Sequence, residues 1–268
     1  LFFKKEKPDV VICAAAKVGG IYANHTYPGQ FLFENLSIQN NLIHFSHEYE
    51  VKYLLFLGSA CIYPKYADQP IKEGSILSGP LEPTNEPYAL AKIAGIKLCE
   101  TYYKQYSDNF ISIMPNNLYG PNDNFHPDTS HVIPALIQKF HNAKVTSSKY
   151  VEVWGTGKPL REFLHVDDLS EAILFVINNV SVEEIYNKGI SHINIGSGEE
   201  LSIHELALMI KKVVGFEGEI KFDNSKPDGT PRKLLDSSII TKKGWMPKIK
   251  LKKGIKDLYS YYKTDVLK

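Results

Sequence analysis

The chain has 268 residues, 43% hydrophobic and 23% charged, which suits a large core in one or two domains and excludes a disordered chain. Its 31 Lys and Arg against 30 Asp and Glu leave a net charge of +1, no electrostatic footprint for nucleic acid. No apolar run approaches the about 18 residues of a membrane span, and Cys13, Cys61 and Cys99 are too few for a disulfide scaffold and lack metal-ligand spacing, so reduced thiols and a cytoplasmic protein without metal are expected.

The opening Leu1-Phe2-Phe3-Lys4-Lys5-Glu6-Lys7 carries no apolar h-region behind its charges and reads as the last turn of an amphipathic helix, not a signal peptide. A strand buried on both faces is expected at about 9–15, so the sequence is expected to begin inside a fold already under way. A helix over about 29–49 carries Phe31, Leu32, Leu36, Ile43 and Phe45. The apolar run 53–57 reads as a strand running into Gly58-Ser59. A Pro-rich loop, a helix at about 88–106 and a strand at 110–114 follow. Short apolar runs alternating with helices predict a parallel sheet covered on both faces, a doubly wound α/β fold.

The second half is more mixed. A helix over 131–142 is expected with Ser130 as N-cap, and a strand 151–154 ends at Gly155. A helix at about 167–179 opens on Asp167-Asp168, which suits its positive end. A strand at 192–196 precedes the capping-box pattern of Ser202 and Glu205, whose helix runs to Val214-Gly215. A strand at 219–222 and a helix at about 251–263 close the chain. With no repeat and no linker, the second, smaller α/β domain is expected to be interleaved with the first.

Tyr88 and Lys92 stand at i, i+4 and share one helix face. A nearby ammonium favours phenolate and is expected to lower the Tyr pKa, so that the phenol hands a proton to a carbonyl oxygen. Alone, such a pair is more often a plain surface contact. Here Pro87 suits the first turn, and upstream a strand ends at Ser59, whose hydroxyl is expected to face the phenol. Ser59 also reads as a simple strand-end turn residue.

The Ser and Tyr-x-x-x-Lys set resembles the extended short-chain dehydrogenase/reductases that act on nucleotide sugars. Longer strings narrow the likeness. They are Ala15-Ala16-Lys17-Val18-Gly19-Gly20-Ile21, Ser59-Ala60-Cys61-Ile62-Tyr63-Pro64, Glu82-Pro83-Thr84-Asn85-Glu86-Pro87-Tyr88, Asn117-Leu118-Tyr119-Gly120-Pro121, Asp123-Asn124-Phe125-His126-Pro127, Ser130-His131-Val132-Ile133-Pro134-Ala135-Leu136 and Lys226-Pro227-Asp228-Gly229-Thr230-Pro231-Arg232-Lys233. Together they are similar to the GDP-L-fucose synthase family, NADPH-dependent 3,5-epimerase/4-reductases of GDP-4-keto-6-deoxymannose. The likeness covers essentially the whole chain.

The resemblance implies a Rossmann-like NADP-binding domain at 1–120 and 162–200 and a nucleotide-sugar domain at 121–161 and 201–268. It implies Cys61 as base and His131 as acid at the sugar carbons flanking the ketone, with Ser59 and Tyr88 on the enolate oxygen. Tyr88 then protonates that oxygen during reduction, and Lys92 holds the nicotinamide ribose. Leu57, Gly58, Ser59 and Ala60, the turn Pro115-Asn116-Asn117-Leu118, and His131 are implied at the cofactor. Lys139, Trp154, Arg161 and Asp228 are implied at the GDP-sugar. A homodimer through the helices near 29–49 and 88–106 is implied too. Plainer readings stand beside these: Cys61 as a small buried hydrophobe, His131 and Lys139 as solvated helix residues, Trp154 as core, and Pro115-Asn116 and Asp228-Gly229 as turns. Cys13 and Cys99 read as core.

Ala60-Cys61, in place of an acidic pair after the serine, favours epimerase over dehydratase chemistry; a different nucleotide-sugar epimerase or dehydratase, or a non-catalytic copy, are the alternatives. No Gly-x-x-Gly-x-x-Gly occurs, and Gly19-Gly20 follows the wrong strand for that fingerprint. The chain is therefore expected to lack a first strand, helix and second strand, roughly 40–50 residues judged from a βαβ unit. As written it is expected to bind NADPH weakly and reduce no sugar.

Overall fold

A computed structural model describes residues 1–126, 129–226 and 228–267. Pro127 and Pro227, which belong to two of the motif strings, lie outside these residues. Helix α1 (Phe2–Glu6) leads into strand β1 (Val10–Cys13). Helices α2 (Ile21–Thr26) and α3 (Pro28–Glu48) follow, with Pro28 in the first turn of α3, where its missing N–H costs nothing. Strand β2 (Tyr53–Leu57) is joined by a long loop to α4 (Glu86–Tyr106), which ends on Ser107 in the left-handed conformation. Then come β3 (Phe110–Pro115), β4 (Asn117–Tyr119), α5 (Val132–Val145), β5 (Tyr150–Trp154), β6 (Leu160–His165) and α6 (Val166–Asn179). The remainder is α7 (Val182–Asn187), β7 (Ile193–Ile195), β8 (Glu200–Ser202), α8 (Ile203–Val214), β9 (Glu219–Asp223), β10 (Arg232–Lys233), α9 (Ser238–Lys242) and α10 (Leu251–Tyr261).

The long apolar and amphipathic elements fall where the pattern puts them. The capping box forms in full: Glu205 N donates to Ser202 Oγ at 3.1 Å, and Ser202 N donates to Glu205 Oε2 at 2.7 Å. Gly215 closes that helix at φ 71°, where a side chain would be strained. The start of α5 differs from expectation. His131, not Ser130, is the N-cap, and its carbonyl accepts the first helical bond from Ala135 N at 3.0 Å. Strands β4, β8 and β10 have two or three residues each, too few for a periodic signal.

Strands β1, β2, β3 and β7 form one parallel sheet in the order β1-β2-β3-β7, with Val10 opposite Tyr53, Leu54 opposite Phe110 and Ile113 opposite Ile193. Alternate β2 residues enter different cores. Leu54 and Phe56 pack with Ile43 of α3 and Ile93 and Ile96 of α4, a cluster that also takes Cys13 and Cys99. Leu55 packs on the other face with Ile173 and Val176 of α6. Leu235 joins the first cluster, and Ile240 and Trp245 join the second. The segment around 235–245 thus covers the main sheet, although the sequence reading puts it in the smaller domain.

A third cluster holds Phe140 of α5, Ile210 of α8 and Ile255 and Leu258 of α10. Strand β6 runs beside it, parallel to β4 and β10 and antiparallel to β8. Buried Asp168, in the first turn of α6, accepts the backbone N–H groups of Lys248 at 2.9 Å and Ile249 at 3.0 Å and so anchors the approach to α10. Among the described residues no helix is long and apolar enough to cross a membrane.

Gly95 sets how closely α4 lies on this sheet. A Cβ there would stand 2.5 Å from Phe56 Cζ and 3.0 Å from Gln39 Cδ, and Gln39 is itself tied to the Ala91 carbonyl. Gly95→Ala should therefore destabilise the chain by about 1–3 kcal/mol through overpacking, despite alanine's helix advantage of about 1 kcal/mol. Urea unfolding measures this; an unchanged midpoint would show that α4 can back away without loss.

Candidate active site

The site grows from the carboxyl end of β2. Gly58 N donates to the Ile113 carbonyl at 2.9 Å, and a Cβ on Gly58 would lie 2.3 Å from Met114 Cε, so a larger residue here would have to displace the end of the Met114 side chain. The chain then turns sharply through a 3-10 turn, Ala60–Ile62, with Ser59 as its N-cap and Ser59 Oγ accepting from Cys61 N at 3.5 Å. That turn carries Cys61 into the molecule. The first turn of α4 brings Tyr88 against Phe31, ring edge to face at 6.3 Å. The Ser59 hydroxyl lies beside both the Tyr88 phenol and the Cys61 thiol, near enough to pull the pKa of each downward.

One turn further along α4, Lys92 is almost wholly buried. Its Nζ donates to the Leu57 carbonyl at 2.8 Å, lies 4.8 Å over the Phe56 ring and 5.8 Å over the Tyr88 ring. The Tyr-x-x-x-Lys spacing predicts a phenol pulled down in pKa by the ammonium. The structure shows the reverse. Burial pushes the Tyr88 phenol well above its ordinary value, the neighbouring Cys61 adds to this, and only the Ser59 hydrogen bond opposes it. Tyr88 thus keeps its proton at neutral pH and can donate a hydrogen bond, but in the resting site burial makes it a weaker acid than a free phenol. Burial lowers the Lys92 ammonium pKa, with Cys13 and Cys61 pulling the other way. Burial likewise raises the Cys61 thiol, against Lys233, the Ser59 hydrogen bond and Lys92.

The smaller lobe supplies the facing wall. His131 is exposed at the start of α5. Two turns on, Lys139 Nζ donates to the Glu152 carbonyl at 3.1 Å and stands 5.0 Å from the Trp154 ring. Trp154 is exposed rather than core, and Lys226 approaches its ring at 5.6 Å. Arg161 donates to the Asp228 carbonyl at 3.4 Å, while the Asp228 carboxylate holds Thr156 N at 2.7 Å and Thr156 Oγ1 at 2.8 Å.

A cavity of about 470 Å³ gathers Gly58, Ser59, Ala60, Cys61, Tyr88, Pro115, Asn116, Asn117, Leu118, His131, Lys139, Trp154, Arg161 and Asp228. Of the residues singled out in the sequence, Leu57 and Lys92 are not on this wall; they brace it from behind through their mutual hydrogen bond. Two features escaped the sequence reading. Lys233 lines the cavity, brought beside Arg161 by the pairing of β10 with β6. It closes a motif string, but its direction depends on that pairing. Gly19 and Gly20 also line the wall; Gly20 N donates to the Thr129 carbonyl at 3.1 Å, and Asn24 Nδ2 bonds both glycine carbonyls. Lys139, Arg161 and Lys233 give the cavity a cationic side suited to a diphosphate. Among the described residues no group of three or more His, Cys, Asp or Glu could hold a metal ion.

This combination of fold and site is that of a nucleotide-dependent epimerase or dehydratase. The model of the NAD dependent epimerase/dehydratase family matches residues 1–196. The chain is 58% identical over 265 residues to GDP-L-fucose synthase 1 of Arabidopsis thaliana, covering 99% of this chain and 80% of that one. It is 54% identical over 263 residues to the GDP-L-fucose synthase of Escherichia coli (strain K12), covering 97% and 82%. Its structure matches MlghC, a GDP-mannoheptose C4 reductase from Campylobacter jejuni with NADP bound, at a TM-score of 0.89 and 42% identity, covering 98% and 85%. The chain belongs to the NAD dependent epimerase/dehydratase family and, within it, to the GDP-L-fucose synthase family.

Of the three thiols, Cys61 lines the cavity while Cys13 and Cys99 have no exposed surface. Because burial lifts the Cys61 thiol above its ordinary 9.0, alkylation by iodoacetamide should be slow at neutral pH and should rise with pH without levelling off below 9. Peptide mass spectrometry should find the label on Cys61 first. A rate already level at neutral pH would contradict a neutral resting thiol.

Proposed function

We propose that this site serves the NADPH-dependent 3,5-epimerisation and 4-reduction of GDP-4-keto-6-deoxy-D-mannose to GDP-L-fucose. The observation that carries this reading is the contact of Ser59 with both Tyr88 and Cys61, in one cavity with three cations. The 58% identity to a GDP-L-fucose synthase supports the choice of substrate.

The cavity fits a nicotinamide nucleotide beside the sugar. Lys92, held behind the cavity wall by the Leu57 carbonyl, is the residue that would reach the nicotinamide ribose with its remaining ammonium protons. Gly58, Ser59 and Ala60 on one side and Asn116, Asn117 and Leu118 on the other form an uncharged wall for the nicotinamide. Bound there, NADPH supplies the hydride for C4. The chain's own residues do the rest. Lys139, Arg161 and Lys233 take the diphosphate, and Trp154 offers a ring face to the nucleotide. Cys61 removes the protons that the C4 ketone acidifies at C3 and C5, which needs its thiolate. The developing enolate oxygen draws hydrogen bonds from Ser59 and Tyr88, donors already aimed at it. His131, at the cavity rim, returns protons to the opposite face. Tyr88 finally protonates the C4 oxygen.

The same reading includes a homodimer. Helices α3 and α4 lie side by side and leave Phe33, Phe45, Leu90 and Tyr106 exposed, an apolar surface that two copies would cover. A cytoplasmic location belongs to it as well, supported by three free, buried cysteines.

Two experiments test these statements. In heavy water Cys61→Ser should lose deuterium incorporation at C3 and C5 yet keep part of the C4 reduction, whereas Tyr88→Phe should lose most NADPH oxidation while remaining folded. Incorporation unchanged by loss of the thiol would remove Cys61 as the base. Sedimentation should give a dimer for the unaltered protein and a monomer for Phe33→Glu; a monomer in both would exclude the proposed contact.

A further inference from the structure

Glu162, in the middle of β6, is fully buried and stands behind the cavity wall. Its carboxylate is ringed by donors from three other segments. Asn116 Nδ2 reaches it from the turn between β3 and β4, Gly198 N at 2.6 Å from the turn after β7, and Leu235 N at 3.1 Å from beyond β10. The fit is close: a Cβ at Gly196 would lie 2.5 Å from Glu162 Oε1. Burial raises the carboxyl pKa, and these donors together with Ser197 pull it back down.

The bonds continue to the cavity. Asn116 Oδ1 accepts from Asn117 N at 3.0 Å and Asn117 Nδ2 at 3.1 Å, and Asn116 Nδ2 also reaches the Lys233 carbonyl at 3.3 Å. Asn117 Nδ2 donates to the Glu162 backbone carbonyl at 2.8 Å. Both asparagines of the wall therefore take their orientation from residue 162. The strand carrying Lys233 is held by the same side chains. Strands β4 and β10 flank β6 on opposite sides, so one carboxylate spans the two walls.

We propose that Glu162 is a positioning residue that holds the Asn116–Asn117 turn and the Lys233 strand at the spacing in which cofactor and sugar nucleotide share the cavity. This rests on the proposed function. Glutamine has nearly the same shape but sets an NH₂ against groups that can only donate.

The test uses the full chain with Glu162→Gln, Glu162→Asp, Asn116→Ala and the Glu162→Gln/Asn116→Ala double variant. Glu162→Gln should raise the KM for both NADPH and the GDP-sugar about tenfold, the size expected when buried hydrogen bonds to a charge are lost, with kcat changed far less. Glu162→Asp should recover part of the loss, and the double variant should be no worse than the worse single one. A residue that only adds stability would lower the melting temperature, leave both KM values alone and combine with Asn116→Ala in full. Folded Glu162→Gln with unaltered KM values, or full additivity, overturns the proposal. If Glu162→Gln does not fold, Glu162→Asp carries the same test. If the unaltered chain binds both NADPH and the GDP-sugar yet turns none over, the proposed function falls. The positioning is then read from the Asn116 side-chain amide resonance, which should move in Glu162→Gln; an unmoved resonance overturns it.

Discussion

Strand β2 has water on neither face. Leu54 and Phe56 are enclosed by α3 and α4, Leu55 by α6, and β1 and β3 take its backbone on either side. Such a strand cannot slip by one residue without exchanging the side chains of two cores. Its carboxyl end is therefore fixed in space, and the backbone there must turn out of the sheet. The turn is the 3-10 segment that begins at Ser59. Because Gly95 lets α4 lie directly on Phe56, the first turn of that helix meets the strand end, and Tyr88 arrives beside Ser59. The site is a consequence of how the first half of α4 packs on this strand.

Burial dominates the electrostatics of this corner. It keeps the Tyr88 phenol protonated, disfavours the Cys61 thiolate and weakens the Lys92 ammonium. Each shift leaves the resting site with little charge of its own near the reacting carbon. Donors oriented in such a place act most strongly on charge that develops during the reaction, since no water must first be rearranged. Of the cations in the cavity, Lys233 acts on the Cys61 thiol itself, while Lys139 and Arg161 stand with Trp154 and Asp228 and suit the anionic end of a substrate.

The two walls belong to different cores and are joined through β6. That strand pairs with β4, β8 and β10, and its Arg161 faces the cavity while its Glu162 faces inward. The alternation follows from the pleat, which sends neighbouring side chains to opposite sides. One strand thus supplies both a group for the ligand and the group that orders the surrounding turns. The match to relatives over 97–99% of the chain takes in both walls, not only the main sheet.

What the sequence by itself determined is local. The apolar runs of β2 and β3 specify strands buried on two faces, Ser202 and Glu205 specify a helix start, and the spacing of Tyr88 and Lys92 puts them on one helix side. The motif strings, with the family resemblance they carry, named fourteen residues that the fold gathers in one cavity. The tertiary structure alone decided the rest. Lys92 turned out to donate to the Leu57 carbonyl, 35 positions away, which no helical spacing reveals. The hydrogen bond from Asn116 to the Lys233 carbonyl joins residues 117 positions apart, and the segment around Leu235 and Trp245 packs into the two cores of the main sheet, not with its neighbours in sequence. Periodicity reports which face of an element is apolar. It carries no record of which distant element will cover that face, and the burial that shifts Tyr88, Cys61 and Lys92 exists only once that covering is complete.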